Sequence, residues 1–461
     1  MTPNFLSRIV TLLFIACHLS LFSCGNRNPN LSEKQLQALL NDLPQKAETP
    51  LFALPDSNYV PPAGALHTEI RSVNPAAPPE IIDIAGNLEN RKEFKLSDIA
   101  SSVRYTLLQQ PPDTKLSRIA SIVSDDEHIF INTLQGLFCY STEGQYLYTV
   151  IKSQHEEDGR ETRLNTGTNP LSNIDLLNGK LVAQIMDKGF QLSFFDVREM
   201  DSQMFLNNPS DELRNFGIKP QYQRWLSRNG RNISDQYFLM DDQSIFNTNL
   251  TINSINGDTL CKLNHYDQLA VNRVLQGMGS RVTSNIYRSH GQIMLQTAYN
   301  DTVFRVTPPN RLSPVYVMNW GVYKPDISER FARNNDLEGK LLLKKWVETS
   351  RFIFLHYTEG RDNPSRRDQG KVTDCWAIYN KTVKTLTHHA TSDASALIEN
   401  DIDPVGMPFW PEGINHKGEM YMIFSKESIK RMIESGVNRN EKLQAISDNM
   451  TDDEVCIMTV K

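Results

Sequence analysis

The stretch "IASIVSDDEHIFINTLQGLFCYSTEGQYLYTVI", residues 119–151, decides the fold class. In it, short apolar runs rich in β-branched and aromatic residues alternate with polar, turn-forming sequences, a pattern typical of antiparallel strands. The pattern predicts four strands, at residues 119–124, 129–133, 137–141 and 146–151. Four short antiparallel strands in about 33 residues have the size of one blade of a β-propeller.

Units of the same kind recur along the chain. They span residues 173–205, 237–263, 284–320 and 344–386, and a last unit contains "EMYMIF", residues 419–424. The pairs Asp125-Asp126 and Asp241-Asp242 occupy the same predicted turn in their units. About six units predict an all-β fold, a six-bladed β-propeller of four-stranded antiparallel blades with minor helical insertions. A pair of large β-sandwiches is the competing architecture.

Two segments from opposite ends of the sequence are expected to close the propeller. Residues 93–109, "EFKLSDIASSVRYTLLQ", end in a strand candidate, and residues 452–460, "DDEVCIMTV", form another. A blade that mixes strands from both termini leaves no exposed edge at the seam. We therefore expect these two strands to share a blade.

Two segments interrupt the strand pattern. Residues 425–436 place Ile429, Met432 and Ile433 on one face of a helix, and residues 331–346 could hold a second short helix. Both are expected to decorate the edges of blades.

The first 23 residues have the features of an export signal. Arg8 precedes an apolar stretch, residues 9–22, which is shorter than the roughly 20 residues that span a bilayer. The sequence Leu-Phe-Ser-Cys that ends at Cys24 resembles a bacterial lipobox, in which the cysteine sulfur receives a diacylglyceryl group and the new N-terminus is acylated. Two or more acyl chains make anchoring stable, so Cys24 is expected to be a membrane anchor. The alternatives are an ordinary secretory signal and a buried helix.

Residues 24–80 are expected to form a disordered tether behind the anchor. The segment is rich in proline, with the pairs Pro61-Pro62 and Pro78-Pro79, and it contains few bulky apolar residues in its second half. One short helix is plausible over residues 32–43. The propeller is then expected to occupy residues 81–461.

Composition is that of an ordinary folded protein, with 39% hydrophobic and 22% charged residues and a net charge of −6. Both signs of charge are mixed and no basic stripe is present, so nucleic acid is not an expected partner. Four cysteines lie beyond Cys24, too far apart for a metal or redox motif. They are expected to be buried apolar residues, with one or two disulfides as the alternative in an exported protein: Cys139, Cys261, Cys375 and Cys456.

Three segments carry a family resemblance: "FKLSDIASSVRYTLLQ" (94–109), "YNDTVFRVTPPNRLSPVYVMNWGVYK" (299–324) and "ENDIDPVGMPFWPEG" (399–413). They resemble segments of the six-bladed β-propeller lipoproteins of Bacteroides-type bacteria, which are NHL-like propellers. The resemblance covers the chain from about residue 80 to its end. It implies a six-bladed fold and no chemistry, because the family is largely without assigned activity. Relatives often carry a GxGPGE turn where this chain has "KSQHEEDGRET", residues 152–162.

The stretch "NDIDPVGMPFWPEG", residues 400–413, is the best candidate for a binding face at one mouth of the channel. Asp401, Asp403 and Glu412 offer carboxylate oxygens, and Trp410 offers a flat apolar face that could stack on a sugar or a peptide. Prolines would stiffen the segment and lower the entropy cost of binding. The alternative is that Trp410 plugs the channel or packs between blades while the aspartates cap turns.

Other polar clusters are expected to be structural or solvated. The run "HEEDGR", residues 155–160, is read as a solvated turn, so no metal and no cofactor are expected. The pair His388-His389 is expected at the surface, and the charged loop 361–371 is expected to be solvated, with contact to an anionic glycan or lipid headgroup as its alternative.

No GxSxG, HExxH, P-loop or complete GxGxxG motif occurs in the sequence. The sequence therefore favours a non-catalytic binding or scaffold protein whose ligand is a glycan or an envelope protein. The alternative is a hydrolase or lyase that uses the carboxylates at the channel mouth, and a purely architectural envelope component is a third reading. The first acidic residue after Cys24 is Glu33, which favours the periplasmic side of the outer membrane over the cell surface.

Overall fold

The structure is a computed structural model, and no helix in the part that it describes is long and apolar enough to span a bilayer. The export signal, Cys24, most of the tether and residues 155–160 lie outside the described residues. The structure describes residues 68–461 except 70, 73–77, 113, 115, 117–118, 134, 153–170, 187–189, 207–221, 227–229, 233–236, 245–246, 255–258, 265–284, 297–300, 309–310, 326–336, 391–396, 436–440 and 452–453.

The chain enters the described region through four short strands that we name the belt. These are β1 (Thr68–Glu69), β2 (Arg71–Ser72), β3 (Glu80–Asp83) and β4 (Arg91–Lys92). Short 3₁₀ turns lie at Ala85–Asn87 and Leu96–Asp98, and β5 (Val103–Leu108) follows the second of them.

The remaining strands form six sheets, which we number in chain order. The first sheet contains β6 (Ser121–Ser124), β7 (His128–Asn132), β8 (Gly136–Ser141) and β9 (Tyr146–Lys152). The second contains β10 (Leu171–Leu177), β11 (Lys180–Met186), β12 (Phe190–Asp196) and β13 (Tyr222–Leu226). The third contains β14 (Gly230–Asn232), β15 (Tyr237–Ser244), β16 (Asn247–Ser254) and β17 (Thr259–Asn264).

The last three sheets follow the same order. The fourth contains β18 (Asn285–Ser289), β19 (Gln292–Gln296), β20 (Thr302–Thr307) and β21 (Arg311–Asn319). The fifth contains β22 (Leu341–Glu348), β23 (Phe352–Glu359), β24 (Thr373–Asn380) and β25 (Thr385–His389). The sixth contains β26 (Gly413–Ile414), β27 (Met420–Ser425), β28 (Val455–Val460) and β5.

Helices are few and lie in the connections between strands. α1 (Val197–Leu206) follows β12, and α2 (Pro364–Asp368) connects β23 to β24. α3 (Lys426–Ser435) and α4 (Glu441–Asn449) both lie between β27 and β28, and a 3₁₀ turn spans Gly321–Tyr323. The predicted helix over residues 425–436 is confirmed by α3. The second predicted helix, residues 331–346, is wrong from Leu341 onward, where β22 begins.

The four strands predicted for residues 119–151 are confirmed as β6 to β9, each paired antiparallel with the next. The turn between β6 and β7 is fixed by Asp125, whose Oδ1 accepts hydrogen bonds from the backbone N–H groups of Glu127 (2.9 Å) and His128 (2.7 Å). Asp241 and Asp242 do not form the equivalent turn, because both lie inside β15 and pair with β16.

The last strand of the chain pairs with an early one, as predicted. β28 pairs antiparallel with β5 over their whole length, from Val455 opposite Leu108 to Val460 opposite Val103. Residues 93–109 and 452–460 therefore contribute to one sheet, and the N-terminal strand lies at its outer edge. The shared sheet closes the ring without a seam.

Clusters of buried apolar side chains join neighbouring sheets. Five of them are seen among the described residues, and each mixes side chains of two sheets. Representative pairs are Phe130 and Leu181 (first and second), Leu239 and Leu295 (third and fourth), Val303 and Tyr357 (fourth and fifth), Phe354 and Met458 (fifth and sixth), and Ile457 and Ile131 (sixth and first). Sheets that pack face to face in a ring around a common axis form a β-propeller.

The first strand of each sheet lies nearest the axis of this ring. Tyr287 on β18 donates a hydrogen bond to Glu348 at the end of β22 (2.9 Å), and Asp175 on β10 lies 2.6 Å from Arg288 on β18. We call the end at which the first strands begin the entry end and the opposite end the exit end. Since strands alternate in direction, connections between sheets and between second and third strands lie at the entry end.

The belt runs along the outer edges of three sheets. β1 pairs in parallel with β17, β2 and β3 pair in parallel with β21, and β4 pairs in parallel with β25. These three sheets therefore exceed the four strands expected for a blade, and their outer edges are covered. The first belt strand begins at Thr68, before the expected start of the propeller at residue 81.

Three of the four cysteines beyond Cys24 are free thiols: Cys139, Cys375 and Cys456. Cys139 and Cys456 are buried, as expected for small apolar residues, and burial raises the pKa of the Cys375 thiol to about 11. The disulfide alternative is therefore wrong for these three residues.

Candidate functional site

The Asp401 carboxylate binds the 3₁₀ turn at Leu96–Asp98. Its Oδ1 accepts a hydrogen bond from the backbone N–H of Ser97 (2.9 Å), and its Oδ2 accepts one from the Ser97 hydroxyl (2.7 Å). These bonds hold the pKa of the Asp401 carboxyl below its usual value. Both carboxylate oxygens therefore attach the segment after β25 to the 3₁₀ turn that precedes β5.

Asp403 is also used within the fold. Its Oδ2 accepts hydrogen bonds from the Tyr105 hydroxyl (3.0 Å) and the Asn400 side-chain amide (2.6 Å), and its Oδ1 accepts one from the Val405 backbone (2.7 Å). Tyr105 is on β5, the outermost strand of the sixth sheet, so Asp403 lies away from the propeller axis. The predicted pair of ligand carboxylates is thus a pair of structural acceptors at the outer edge.

Trp410 packs between the fifth and sixth sheets. Its side chain is 4% exposed and contacts Phe354 (5.5 Å between ring centroids, 88°) and Trp376 (4.8 Å, 71°) edge to face. No free face of the indole remains to stack on a ligand. The alternative stated for Trp410, packing between blades, describes its position.

Glu412 lies at the entry end of the axis, directly before β26. Its backbone N–H donates to the Tyr421 carbonyl (2.8 Å), which fixes the start of the first strand of the sixth sheet. Burial raises the pKa of the half-buried Glu412 carboxyl, and attraction to Lys345 and a backbone hydrogen bond from Ile423 oppose this shift. Of the four predicted residues, Glu412 alone therefore lies on the axis side of its sheet.

Lys345, which sequence reasoning missed, is the residue that faces Glu412. It lies on β22, the first strand of the fifth sheet, beside a bulge in the pairing with β23. Burial lowers the pKa of its ammonium group, and attraction to Glu412 opposes this shift. The Lys345 ammonium and the Glu412 carboxylate thus attract each other, and both are partly desolvated.

Lys345 begins a row of side chains on the face that the fifth sheet turns to the sixth. It is opposite His356 on β23, which is opposite Trp376 on β24, and directly opposite residues share a face. The His356 ring stacks on Trp376 with 3.9 Å between ring centroids and an angle of 2°. Burial lowers the pKa of His356, although its Nε2 lies 2.7 Å from Asp374 Oδ1.

A charged network extends this row to the surface at the entry end. Arg367 on α2 contacts Asp362 (2.5 Å) and Asp374 (2.6 Å), and Asp362 is 2.9 Å from Lys344. Hydrogen bonds from Arg367 are the main reason that the pKa values of the Asp362 and Asp374 carboxyls lie below the usual range. The loop 361–371, expected to be solvated, therefore contains an ordered helix whose Arg367 is paired.

The opposite end of the axis is crossed by an ion pair. Arg288 is next to the turn between β18 and β19, at the exit end, and donates to the Gly291 carbonyl (3.0 Å) and to Asp175 Oδ2 (2.6 Å). Because Asp175 belongs to the second sheet and Arg288 to the fourth, this contact, which we call the clasp, links these two sheets at the exit end.

In the described ranges, no group of three or more His, Cys, Asp or Glu side chains is placed to hold a metal ion.

The row of Lys345, His356 and Trp376 could be predicted from the sequence only in part. In "FIFLHYTE", residues 352–359, His356 is two residues after Phe354, so these two side chains of one strand lie on the same face. Lys345 gave no such signal, because its position depends on the bulge in β22.

The pair His388-His389, expected at the surface, is buried. The residues are 6% and 9% exposed on β25 because β4 and the following belt residues cover this edge. The prediction was wrong because the covering segment is far away in sequence, so no local pattern around residue 388 could indicate it.

Comparisons with known proteins add no activity. A crystallised protein of Bacteroides fragilis, which its name describes only as exported, has 12% identity and a TM-score of 0.52, over 83% of this chain and 99% of that one. The Pan2 WD40 domain of Neurospora crassa, with 10% identity, covers 68% of this chain and 75% of that one at a TM-score of 0.33. No functionally curated protein matches.

One family model matches most of the chain. Residues 62–435 match a domain whose description is "Domain of unknown function (DUF4933)". The matched range begins just before the belt and ends with α3, so it contains five whole sheets and three of the four strands of the sixth. The chain belongs to the DUF4933 family.

Proposed function

We propose that this protein is a non-catalytic binding protein of the cell envelope, whose ligand enters the propeller at the entry end. The observation that carries the proposal is the position of Lys345 and Glu412. Lys345 lies on the first strand of the fifth sheet, Glu412 lies directly before the first strand of the sixth, and the two side chains attract each other. At the other end, Asp175 and Arg288 form an ion pair between the second and fourth sheets. A few polar groups brought together beside apolar packing are a common feature of ligand sites.

A glycan is the ligand class that these side chains suit best. A carboxylate, an ammonium and an imidazole are all good partners for sugar hydroxyl groups. An envelope protein, the other class considered, would need a broad surface, whereas the convergent groups lie at the inner ends of two sheets. The hydrolase or lyase alternative has weaker support, because Asp401 and Asp403 are both bonded within the fold.

We also propose that the propeller has six blades, one for each of the six sheets of described strands. The proposal also includes anchoring through Cys24 at the periplasmic side of the outer membrane, supported by the lipobox and by the absence of an acid directly after the cysteine. Incorporation of labelled palmitate into the wild-type chain, and its loss in Cys24→Ser, would test the anchor.

The binding proposal is tested with the full chain in mild detergent and a panel of envelope glycans and peptidoglycan fragments. A ligand at 100 times its Kd should stabilise the protein by about 2.7 kcal/mol, which thermal shift detects. We expect Glu412→Gln and Lys345→Gln to weaken binding of that glycan about tenfold or more. Asp126→Asn, at an exposed turn of the exit end, is the matched control and should bind as wild type. Equal binding by all four proteins would refute the site, and no stabilisation by any glycan would refute the ligand class.

A further inference from the structure

The imidazole of His356 is held in one orientation by two contacts. Its Nε2 lies 2.7 Å from Asp374 Oδ1, and its ring stacks on Trp376 with 3.9 Å between centroids and an angle of 2°. Both partners are on β24, next to the strand that carries His356. A side chain fixed by packing and by a hydrogen bond presents its remaining polar atom in a defined place. The His356 side chain stays 18% exposed, so a ligand can reach it.

The Asp374 carboxylate that holds His356 is itself paired with a cation. Arg367 donates to both of its oxygens, with Nη1 2.6 Å from Oδ2 and Nη2 3.1 Å from Oδ1. The Arg367 Nε also donates to Asp362 Oδ1 (2.5 Å), and Asp362 is 2.9 Å from Lys344. The negative charge of Asp374 is therefore matched without a positive charge on His356.

This arrangement favours a neutral His356 with its hydrogen on Nε2. Burial lowers the pKa of His356, and the contact with Asp374 opposes this shift. Repulsion from Arg367 and Lys344 lowers the pKa further, so the ring is neutral at pH 7. A bare Nε2 would place a lone pair against a carboxylate oxygen, so Nε2 carries the hydrogen and donates it. Nδ1 is then a hydrogen-bond acceptor.

Lys345 supplies a donor beside this acceptor. It is directly opposite His356 in the pairing of β22 with β23, and directly opposite residues have Cβ atoms about 4.5–5.5 Å apart on one face. An ammonium group can only donate, whereas the neutral ring accepts at Nδ1. The half-buried Trp376 adds an apolar surface on the same face, and Glu412, which attracts Lys345, adds a second acceptor.

A secondary amide satisfies this arrangement with one chemical group. Its N–H can donate to His356 Nδ1, and its carbonyl oxygen can accept from the Lys345 ammonium. The methyl of an acetyl group adds apolar contact with Trp376. Neighbouring sugar hydroxyl groups can donate to Glu412 at the same time. Among glycans, acetamido sugars combine all of these groups, whereas a sugar with a hydroxyl at the same carbon has neither the planar amide nor the methyl.

We propose that the candidate site selects glycans that carry an acetamido group, which binds between His356 and Lys345. His356 is the specificity-determining residue, and Asp374 positions it. Binding of such a glycan rests on the proposed function, because the glycan enters the same site. Selectivity between two glycans is measured separately from the binding of any glycan, so failure of the selectivity is distinguishable from failure of the proposed function.

The test compares triacetylchitotriose with cellotriose, two trisaccharides of the same linkage that differ only in having an acetamido group or a hydroxyl at carbon 2 of each sugar. Isothermal titration calorimetry of the full chain in mild detergent gives both Kd values. We expect wild type to bind triacetylchitotriose about tenfold more tightly than cellotriose, the factor that one added hydrogen bond permits.

Two substitutions of His356 separate the roles of its ring nitrogens. His356→Gln can still donate to Asp374 but has no acceptor at the Nδ1 position, so the preference should disappear. His356→Asn places a carbonyl oxygen near the Nδ1 position and should keep most of the preference. His290→Asn, at an exposed turn with φ 48°, is the matched control and should keep the wild-type ratio. Damage to folding would weaken binding of both sugars, so the ratio isolates the role of the ring.

Three results would overturn the selectivity. Equal binding of the two trisaccharides by wild type would do so and would leave the proposed function intact. A full preference that persists in His356→Gln would exclude Nδ1 as its cause. Binding of neither trisaccharide would exclude the acetamido class, and if no glycan of the panel binds, the proposed function fails as well. Should His356→Gln fail to fold, ¹⁵N spectra of histidine-labelled wild type decide, because triacetylchitotriose but not cellotriose must shift the Nδ1 signal of an Nε2–H tautomer.

Discussion

Asp175 and Arg288 join the first strands of two sheets that are not neighbours. The contact of 2.6 Å between Asp175 Oδ2 and Arg288 Nη2 runs from the second sheet to the fourth. The side chains are 20% and 24% exposed, so the pair is only partly screened by solvent. The clasp therefore links the second and fourth sheets at the exit end.

The clasp should contribute measurably to stability. Asp175→Asn keeps the size of the side chain but removes the charge that faces Arg288, so we expect a loss of about 1–3 kcal/mol in the free energy of unfolding. Urea denaturation of the two proteins measures this difference. Arg431→Met removes the exposed pair with Glu427 (3.9 Å) and should cost no more than about 0.5 kcal/mol. Equal losses in the two variants would contradict a structural role for the clasp.

Trp410 should behave as a core residue. Trp410→Ala leaves a cavity against Phe354 and Trp376 and is expected to lower the free energy of unfolding by about 3–5 kcal/mol. Thermal denaturation without ligand measures the effect. The control is Val322→Ala, since Val322 is 80% exposed and the change should be nearly neutral. A Trp410→Ala protein with unchanged stability would show that its ring is not packed as described.

Local sequence patterns predicted the strands well but not the contacts between distant segments. The alternation of short apolar runs with turn-forming sequences in residues 119–151 is sufficient to define β6 to β9, because each strand pairs with its neighbour in sequence. The pairing of β28 with β5 was also predictable, since a ring must be closed by its termini. Leu341 was placed in a helix because short apolar runs do not distinguish strands from buried helices.

The candidate site was harder to predict for the same reason. Asp401 and Asp403 were predicted to be available to a ligand. Ser97 and Tyr105, which donate hydrogen bonds to these carboxylates, lie about 300 residues earlier in the chain. The belt that buries His388 is equally distant in sequence. Glu412 was predicted from its position in a stiff segment, whereas Lys345 could be found only once the two first strands were seen together.

His128 should make the free energy of unfolding fall as the pH rises into the alkaline range. Burial alone would lower the pKa of His128, but hydrogen bonds and attraction from Asp125 (3.1 Å) and Asp201 (3.3 Å) outweigh it and raise this pKa to about 10. The folded-state pKa is above the unfolded value near 6.5. The stabilisation is therefore complete below about pH 6.5 and is lost as the pH rises through about 10.

The measurement is the free energy of unfolding of wild type and His128→Gln at pH 6, 8 and 10. We expect the variant to be less stable than wild type by the largest amount at pH 6 and by the smallest at pH 10. His416→Gln, at an exposed turn, removes a pair with Asp126 (3.1 Å) and serves as the control, with a small difference throughout. A difference for His128→Gln that grows with pH would mean that the ring is neutral in the folded protein.

The belt should be an integral part of the folded propeller, and two adjacent isoleucines on β3 allow a matched test. Ile82 is fully buried among side chains of the fourth and fifth sheets, whereas Ile81 is 64% exposed. Ile82→Ala is expected to lower the free energy of unfolding by about 2–4 kcal/mol, and Ile81→Ala should change it by less than about 0.5 kcal/mol. Because both substitutions remove the same atoms from the same strand, any effect on strand propensity cancels between them. Equal, small effects would mean that β3 adds little to the core, and the belt would then be a surface attachment to sheets that are stable without it.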